Sequence, residues 1–529
     1  MKKTILVTFI LVCAAAAFPQ ISQFRQETPP KILEFIAPSF DAPRYSIRFP
    51  FVIEDNPILF KYVDINGVHP GLVQFRRLER LADLKKAIPP GIYYITVDFA
   101  WKSKTEYKMS LAYDPQGGGK EKTEVLTGTS PDQGGIPDVC QEGFYRVFIV
   151  EETAGLERKA EVAYATLTTP KSDIENQDLS IWDGGRPLPF QILETRESEP
   201  TAIQAASYPI TLTSKLAFSL DCAARQKKML LVLKGGKNTS GDNAFTVTGD
   251  GPGKTIVSSR LKLLLHSQSG QINAIEYPKE NLRFHNEKTG VVHANPDVFV
   301  PGVGWDHSFD WNPPQSLVEK NGSVVYINAR KGPLPHIKDI ELEVKYTLEK
   351  DAPYILSETM MTVTRDLGVS ALRNDEMVFY RRLFDSLVYK DAKDGLVQRP
   401  LIELSDAPDG IAFIAPADAE WVGLINTLNR YGFFSVRVAS LAANLGAAGD
   451  FLHRAGTYFY APAEAEFVHW VRPLLYTWGE ASTKTQLTFL PQGSVFYEKN
   501  AYLFMPLSGT TAASLDALAA RLKTPLRVF

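Results

Sequence analysis

The sequence predicts a mainly β protein, and three of its features carry that prediction. Apolar and polar residues alternate over most of the chain, which is typical of half-buried antiparallel strands. Gly, Pro, Asn and Asp interrupt these stretches at short intervals, as turns between strands require. Convincing helical spacing is confined to two stretches. With 529 residues, 44% of them hydrophobic, the chain has enough apolar material for two to four domains.

The beginning of the chain predicts export. A short basic start precedes residues 4–17, an apolar stretch too short for a permanent membrane anchor. Small residues favour cleavage before Phe18, so residues 1–17 are interpreted as a signal peptide. Lipoprotein anchoring through Cys13 is the alternative. No later stretch is long and apolar enough to span a membrane, so we expect a periplasmic or secreted protein without an integral membrane span.

The charge distribution and the cysteine content bear on the expected binding partners and on possible disulfides. The 57 basic and 60 acidic residues are well mixed, so no cationic stripe is available to neutralise a phosphate backbone, and nucleic acid is not an expected partner. After the predicted cleavage two cysteines remain, Cys140 and Cys222. An exported protein permits a disulfide, and both one bridge and two free thiols are open. The sequence does not indicate an oligomeric state.

No cofactor and no metal is predicted. The sequence contains no phosphate-binding Gly-x-x-x-x-Gly-Lys-Ser/Thr loop, no His-Glu-x-x-His helix and no Cys-x-x-Cys pair. A metal held by residues distant in sequence, for example His293, Asp297 and His307, is the alternative that a spacing test cannot detect.

Three β units follow the predicted signal peptide, over residues 28–130, 137–243 and 245–529. Residues 115–119, rich in Gly, are typical of an exposed connection after the first unit. The third unit contains the clearest strand pattern, in which Ile340, Leu342, Val344, Tyr346 and Leu348 share one face and charged residues the other.

Hairpins and helices complete the prediction. Residues 255–265 and 272–277 are predicted to be two strands of a hairpin. Helices are predicted at residues 74–87, with apolar residues at helical spacing, and at residues 515–522, where Ser514 is expected to be the N-cap.

The middle unit carries the residues of a family resemblance. Residues 155–162 lead to residues 179–193, which comprise a strand, an Asp-Gly-Gly turn and an edge-type strand interrupted by Pro187 and Pro189. This order resembles the small β-barrel module of exo-acting rhamnogalacturonan lyases and related exported polysaccharide-processing proteins. The third unit resembles the large β-supersandwich, related to galactose mutarotase, that follows this module in such proteins. The chain has neither the length nor the helical periodicity for their α/α toroid.

The resemblance implies an architecture and a class of ligand. It implies an N-terminal β-sandwich-like unit, a small β-barrel and a large galactose-mutarotase-like β-supersandwich. It also implies an exported protein that acts on polysaccharide or oligosaccharide, with polysaccharide lyase as the first activity to consider.

Residues 304–314 form the densest group of site chemistry in the sequence. Flat indole faces can stack on sugar rings, while neighbouring carboxylate, imidazole and amide groups bind hydroxyls. The predicted substrate-binding residues here, beside His307, are Trp305, Asp306, Asp310, Trp311 and Asn312. The alternative is a long connection whose tryptophans fill the core and whose carboxylates cap turns.

Three further groups extend the predicted site. Glu376, Tyr380 and Arg381 combine a carboxylate, a phenol and a guanidinium, although adjacent charges usually belong to a solvated turn. Arg330 and His336 lie in a basic, kinked loop that could hold an acidic sugar, or could simply be an exposed turn. His469 and Trp470 form an aromatic and charged cluster with residues 478–480, for which a core tryptophan pair is the alternative.

Roles can be assigned for each activity considered. In a lyase, His307 or Tyr380 would abstract the proton, and Arg330 or Arg381 would neutralise the uronate. In a two-carboxylate hydrolase, Asp306 or Asp310 would act with Glu376. A non-catalytic carbohydrate-binding or cell-surface protein would need the aromatic platforms alone. The predicted ligand is an acidic polysaccharide for an enzyme and a polysaccharide or oligosaccharide more generally for the binding protein.

Overall fold

A computed structural model describes most of the chain after the predicted signal peptide. The described residues are 34–36, 44–53, 57–70, 72–77, 80–89, 91–100, 106–115, 121–129, 145–171, 179–183, 186–197, 211–234, 242–286, 290–391, 395–405, 413–452, 456–462, 465–476 and 487–528. The predicted signal peptide, Cys13, Cys140, most of the predicted connection at 115–119 and residues 478–480 lie outside them. The described chain is mainly β, as predicted.

The first strands form a five-stranded sheet in the order β1-β2-β6-β4-β5 and a three-stranded sheet in the order β3-β7-β8. Buried side chains from both sheets, including Phe75, Ile95 and Met109, belong to one hydrophobic cluster. The strands are β1 (Glu34–Ile36), β2 (Arg44–Ile53), β3 (Ile58–Ile65), β4 (Leu72–Arg77), β5 (Arg80–Leu81), β6 (Gly91–Ala100), β7 (Glu106–Pro115) and β8 (Lys122–Thr129).

The helix predicted at residues 74–87 is wrong. This stretch contains β4 and β5, which pair with each other through Arg76 and Leu81. Phe75 pairs with Ile95 of β6 and is fully buried. The apolar spacing fits both a helix and a bent pair of short strands. Pairing with β6 decides between them, because it supplies hydrogen bonds to the backbone of this stretch and at the same time buries Phe75.

The middle strands form a three-stranded sheet in the order β10-β14-β13 and a five-stranded sheet in the order β12-β11-β15-β9-β38, in which β38 is Arg527–Val528. The predicted strand pair at residues 179–193 is present, with Pro187 on the edge strand β12, where a residue without an N–H is tolerated. The strands are β9 (Tyr145–Glu151), β10 (Arg158–Pro170), β11 (Leu179–Asp183), β12 (Arg186–Leu188), β13 (Phe190–Glu197), β14 (Thr211–Cys222) and β15 (Lys227–Lys234).

The third group of strands builds the largest body. Its sheets have the orders β16-β17-β18-β19-β20, β22-β21-β28-β35-β34-β31, β23-β24-β25-β26-β37-β33-β32-β29-β30 and β27-β36. The strands are β16 (Thr246–Thr248), β17 (Thr255–Val257), β18 (Lys262–Leu265), β19 (Ile272–Tyr277), β20 (Leu282–His285), β21 (Asp297–Val300), β22 (Gly304–His307), β23 (Ser316–Asn321), β24 (Val325–Pro333), β25 (Ile340–Glu349), β26 (Tyr354–Val363), β27 (Leu367–Val369), β28 (Ala371–Tyr380), β29 (Ser386–Asp391), β30 (Gly395–Pro400), β31 (Phe413–Ile414), β32 (Trp421–Asn426), β33 (Tyr431–Ala443), β34 (Tyr458–Tyr460), β35 (Phe467–Tyr476), β36 (Thr488–Leu490), β37 (Val495–Pro506) and β38 (Arg527–Val528).

The six-stranded and nine-stranded sheets share one large hydrophobic core. The predicted strand at 340–348 is confirmed as β25, and its apolar face is fully or almost fully buried. The predicted hairpin is confirmed with one more strand than expected, because β17, β18 and β19 pair in succession.

Two α-helices lie wholly within the described residues, α1 (Ile402–Ser405) and α2 (Thr511–Lys523), together with three short 3₁₀ helices at Ser308–Asp310, Arg381–Leu383 and Gly446–Phe451. The C-terminal helix is confirmed, but Thr510 and not Ser514 occupies the N-cap position. Leu515 and Ala519 are its buried residues. None of the helices in the described chain has the length and apolar character needed to cross a membrane.

The end of the chain returns to the middle strands. β38 pairs with β9, and Arg158 of β10 donates hydrogen bonds to the carbonyl oxygens of Arg521 (3.0 Å) and Thr524 (2.7 Å) at the end of α2. Cys222 is a buried, free thiol among the described residues. The boundaries given above for the three units stay predictions.

Candidate functional site

The six-stranded sheet has one face in the core and one face that is only partly covered. Alternation along each strand separates the two faces, so Val298, Leu372 and Trp470 enter the core. The opposite face, called the open face below, carries polar and aromatic residues. Strand register places Asp297 between His307 of β22 and Arg373 of β28.

Asp297 and Arg373 form the centre of the open face. The Arg373 Nε donates to Asp297 Oδ1 at 3.1 Å, and its Nη2 donates to Oδ2. Asp297 is fully buried, whereas the Arg373 side chain is 15% exposed. The Arg373 guanidinium also lies 3.7 Å from the centre of the Trp305 ring, a cation–π contact. The bidentate ion pair with Asp297 therefore holds the Arg373 guanidinium in place, and the guanidinium in turn packs on the Trp305 indole.

An irregularity in β28 adds a second carboxylate. The pairing of β28 with β35 shifts between Asn374 and Met377, and Asp375 between them has a positive φ of 49°. The shift directs Asp375 into the core and Glu376 towards the open face, as bulges do when they re-aim a side chain. Glu376 Oε1 accepts a hydrogen bond from His469 Nδ1 at 2.7 Å, and Glu376 Oε2 lies 3.8 Å from Arg373 Nη2.

The result is a paired-histidine cluster, defined as Asp297, His307, Arg373, Glu376 and His469. His307 Nδ1 lies 3.1 Å from Asp297 Oδ2, an ion-pair distance without hydrogen-bond alignment. Each imidazole is therefore held beside its own carboxylate, with Arg373 between the two carboxylates.

Aromatic rings surround the two imidazoles. Phe309 stacks on His307 with ring centres 4.7 Å apart. Tyr460 approaches His469 edge-on at 5.0 Å, and Phe467 does so at 5.9 Å. Phe309, Tyr460 and Phe467 are half-buried, so they combine fixed packing with some solvent access.

The charges in the cluster support one another. Burial would raise the pKa of Asp297, but Arg373 and then His307 outweigh it and lower that pKa. Burial is likewise the largest influence on Glu376, and Arg373 and His469 overcome it to lower the pKa. Burial opposes protonation of His307, yet the Asp297 carboxylate raises the pKa of this imidazole above its ordinary value. His307 therefore binds a proton more readily than an isolated imidazole does.

Removing the Asp297 charge is expected to lower the pKa of His307, because the carboxylate is the main group that favours the imidazolium. NMR titration of the imidazole protons in Asp297→Asn checks this, with His307→Gln assigning the signal. The raised pKa also stabilises the folded state, fully so below about pH 6.5, and this stabilisation disappears as pH rises through the folded-state pKa. An unchanged titration in Asp297→Asn would contradict the ion pair.

Several predicted site residues have structural roles. Asp306 is fully buried and accepts hydrogen bonds from the backbone N–H groups of His336 (2.7 Å) and Ile337 (2.6 Å). Trp311 is buried, and its Nε1 donates to Pro333 O at 2.8 Å. Trp470 is fully buried. For Trp311 and Trp470 the structure agrees with the alternative in which they fill the core.

The predicted cations are also engaged elsewhere. Arg330 is fully buried between the sheets, and a side chain without solvent access cannot meet a uronate there. Arg381 Nη1 donates to the carbonyl oxygens of Ala461, at 3.3 Å, and Pro462. Neither arginine is therefore included in the cluster.

The remaining predicted residues lie around the open face or away from it. Tyr380 is half-buried, with its ring 6.0 Å from that of His285. Asp310 and Asn312 are exposed, and the His336 side chain is 67% exposed. Of the predicted set, the structure brings Trp305, His307, Glu376 and His469 together.

Asp297 and Arg373 are the central residues that sequence reasoning did not assign to the site. Asp297 entered only as part of a possible metal set with His293 and His307. That set does not form, because His293 is fully buried and its Nδ1 lies 2.6 Å from the Tyr346 hydroxyl. Across the described ranges, no group of three or more His, Cys, Asp or Glu side chains is arranged to hold a metal ion.

Comparison with known proteins gives only distant structural likenesses. No family model and no curated protein sequence matches the chain. An alpha-mannosidase from Enterococcus faecalis V583 aligns with a TM-score of 0.44 and 12% identity, over 74% of this chain and 46% of that one. A protein in glycosyl hydrolase family 38 from Enterococcus faecalis aligns with a TM-score of 0.45 and 12% identity, over 74% and 48%.

A third similar structure is a galactose mutarotase-like protein from Lactobacillus casei ATCC 334. It aligns with a TM-score of 0.33 and 12% identity, over 49% of this chain and 100% of that one. The chain spans about half the length of each of the first two structures.

Proposed function

We propose that the protein binds a saccharide on the open face and transfers protons on it, with His307 as the acid and His469 as the base. The observation that carries this proposal is the placement of two imidazoles, each beside a buried carboxylate, on either side of Arg373. Titratable groups whose charges are set by buried partners are typical of sites that perform acid–base chemistry.

The aromatic surroundings support a saccharide as the ligand. Half-buried rings offer flat apolar surfaces for the C–H faces of a pyranose, while the imidazoles and Arg373 offer polar groups for its hydroxyls. Phe309 lies beside His307, and Tyr460 and Phe467 lie beside His469, so a ring bound between the imidazoles would meet aromatic groups at both ends.

The partners of the imidazoles support their different roles. His469 uses Nδ1 for Glu376, and this leaves Nε2 as the atom that would take a proton from a ligand. His307 has a raised pKa, so it would enter the reaction protonated and would donate. Glu376 would then stabilise the imidazolium that forms on His469.

Charge balance bears on the substrate. Asp297 and Glu376 oppose Arg373 and protonated His307, so the cluster has no surplus positive charge for a carboxylate. This favours a neutral sugar over the acidic polysaccharide expected from the sequence. On such a sugar the acid and the base would catalyse ring isomerisation, in which His469 removes the proton of the anomeric hydroxyl, His307 protonates the ring oxygen, and the bond between C1 and the ring oxygen breaks as a C1 carbonyl forms. Elimination from a uronate by a lyase is the second candidate, because two imidazoles and Arg373 are the groups that reaction uses.

Hydrolysis has weaker support. It requires a carboxylic acid that can donate to the leaving oxygen and a second carboxylate across the bond. Asp306 already accepts hydrogen bonds from the backbone N–H groups of residues 336 and 337. Burial would raise the pKa of Glu376, but Arg373 outweighs this effect and lowers that pKa. A carboxyl group with a lowered pKa is a poor proton donor.

The reaction is tested by incubating the purified protein with two panels. Neutral sugars are followed by NMR for conversion between isomers, and uronate-containing polymers are followed by the ultraviolet absorbance of unsaturated products. Conversion in the first panel is the expected result. Turnover only in the second supports the lyase, binding without turnover in either supports the carbohydrate-binding alternative, and no binding to either panel contradicts the proposal.

Replacing Trp305 by alanine is expected to weaken saccharide binding about tenfold, because it removes an aromatic surface and the group that stacks on Arg373. Titration calorimetry measures the affinity. Trp311→Phe is the matched control, since Trp311 is buried and bonded to Pro333. Its affinity should stay unchanged while its stability falls. Equal affinities for both variants and the unaltered protein would place the ligand away from the open face.

We also propose that the protein is exported, on the strength of residues 1–17. Mass spectrometry of the N-terminus of protein recovered from the periplasm or medium tests this, with Phe18 as the expected first residue.

A further inference from the structure

Arg330 is a buried cation that the proposed acid–base chemistry does not use. It lies on the inward face of β24, within the core between the two large sheets, and is fully buried. Its Nη1 donates to Ser269 O at 3.2 Å and to Gln271 Oε1 at 3.1 Å. The guanidinium lies 4.4 Å from the centre of the Tyr346 ring. One of its ends is therefore well bound to neutral groups.

The other edge of the guanidinium consists of Nε and Nη2. Nε and Nη2 point to the same side, and neither has a hydrogen-bond acceptor among the described residues. The same edge of Arg373 binds Asp297, and the same edge of Arg158 binds Glu152. In those two arginines a carboxylate supplies the negative charge that Arg330 lacks.

A second unpartnered donor lies nearby on the same strand. Asn328 is two residues before Arg330 in β24, so both side chains project from one face of the sheet. Asn328 is fully buried, and in the described part of the chain neither its Nδ2 nor its Oδ1 has a hydrogen-bond partner. Burial of a donor without an acceptor is unfavourable, and burial of a charge without a counter-charge is more so.

Loss of a proton from Arg330 does not remove this unpaired positive charge. Burial lowers the pKa of Arg330 while Tyr346 opposes that effect, and a guanidinium remains charged in proteins. Neutral His293, whose pKa burial and Arg330 lower to about 3, contributes no charge. The interior at this point therefore carries a positive charge that the neighbouring side chains leave uncompensated.

We propose that Arg330 Nε and Nη2, with Asn328 Nδ2, bind a halide-sized inorganic anion inside the core. A single-atom anion accepts hydrogen bonds from several directions, so it needs no matched pair of oxygen atoms. It would supply the counter-charge that Asp297 supplies to Arg373. This site lies on the inward face of the nine-stranded sheet, and its existence does not depend on the proposed saccharide chemistry.

Thermal unfolding of the full chain tests the proposal. Chloride is varied at constant ionic strength, with gluconate as the replacing anion, which is too large for the core. The expected result is a midpoint that rises by about 2 °C for each tenfold increase in chloride once the site begins to fill. Arg330→Met should abolish this dependence, and Arg283→Met, which alters a half-exposed arginine of β20, should retain it.

Bromide provides a measurement that does not need a variant. Crystals of the unaltered protein grown in bromide should show an anomalous peak beside Arg330 Nε and Nη2. A water molecule at this edge, or bromide bound only at the surface, would overturn the proposal even if Arg330→Met failed to fold. A chloride dependence that persists unchanged in Arg330→Met would overturn it as well.

Discussion

Replacing Asp375 by alanine is expected to lower the free energy of unfolding of the largest β body by about 3–5 kcal/mol, because it removes one of the two carboxylates paired with the buried Arg472 and the acceptor of two buried hydroxyl groups. Asp375 is fully buried and accepts hydrogen bonds from Arg472 Nη2 at 2.6 Å and from Ser435 and Tyr502 at 3.0 Å each. These partners belong to both large sheets, so the carboxylate joins them through the core.

Chemical denaturation followed by circular dichroism measures the effect. Asp339→Ala is the matched control, since the Asp339 side chain is 38% exposed and lies 3.9 Å from the largely exposed Arg365, an arrangement with little effect on stability. Asp375→Asn should fall between the control and Asp375→Ala, because the amide oxygen still accepts one or two hydrogen bonds. A loss below about 1 kcal/mol in Asp375→Ala would show that the network does not join the sheets.

Replacing His469 by glutamine is expected to reduce turnover of a saccharide substrate by about 10²–10⁴-fold while changing its affinity little, because a positioned acid–base group acts in the transition state. Glu376→Gln should have a smaller effect of the same kind, since it removes the charge that orients and stabilises the His469 imidazolium. Steady-state kinetics on the substrate found in the panel experiment provide the measurement.

His336→Gln is the control for this experiment. The His336 side chain is 67% exposed, and its ring contacts Asp306, away from the Glu376–His469 pair, so turnover should remain near that of the unaltered protein. Comparable losses in His336→Gln and His469→Gln would indicate that the active groups lie in the loop at residues 330–336, and the paired-histidine cluster would then not be the catalytic site.

The local alternation of apolar and polar residues was sufficient to predict the mainly β class and individual strands. The alternation in β25 needs only one buried and one partly exposed face, and both are present at residues 340–348. The helix at residues 511–523 was predictable for the same reason, because its apolar spacing allows one buried face. The helix prediction at residues 74–87 failed because the apolar spacing there fits both a helix and a pair of short strands. Pairing with β6, which is distant in sequence, decides between the two.

The candidate site was predictable in part. Trp305 and His307 alternate with buried Asp306 in one short strand, so the dense group of residues that the sequence singled out contributes two members to the open face. Glu376 and His469 were found as separate clusters, but nothing local indicates that they meet. Their hydrogen bond joins residues 93 positions apart.

The amino-acid sequence by itself determined the strand pattern, the balance of charge and the kinds of functional groups available, because these follow from local alternation and composition. Only the tertiary structure decided which groups share a surface. Strand register placed Asp297 beside Arg373, and the irregularity in β28 turned Asp375 inwards and Glu376 outwards. Arg330 entered the core for the same reason, since the face on which a residue of a strand lies depends on the strands that flank it.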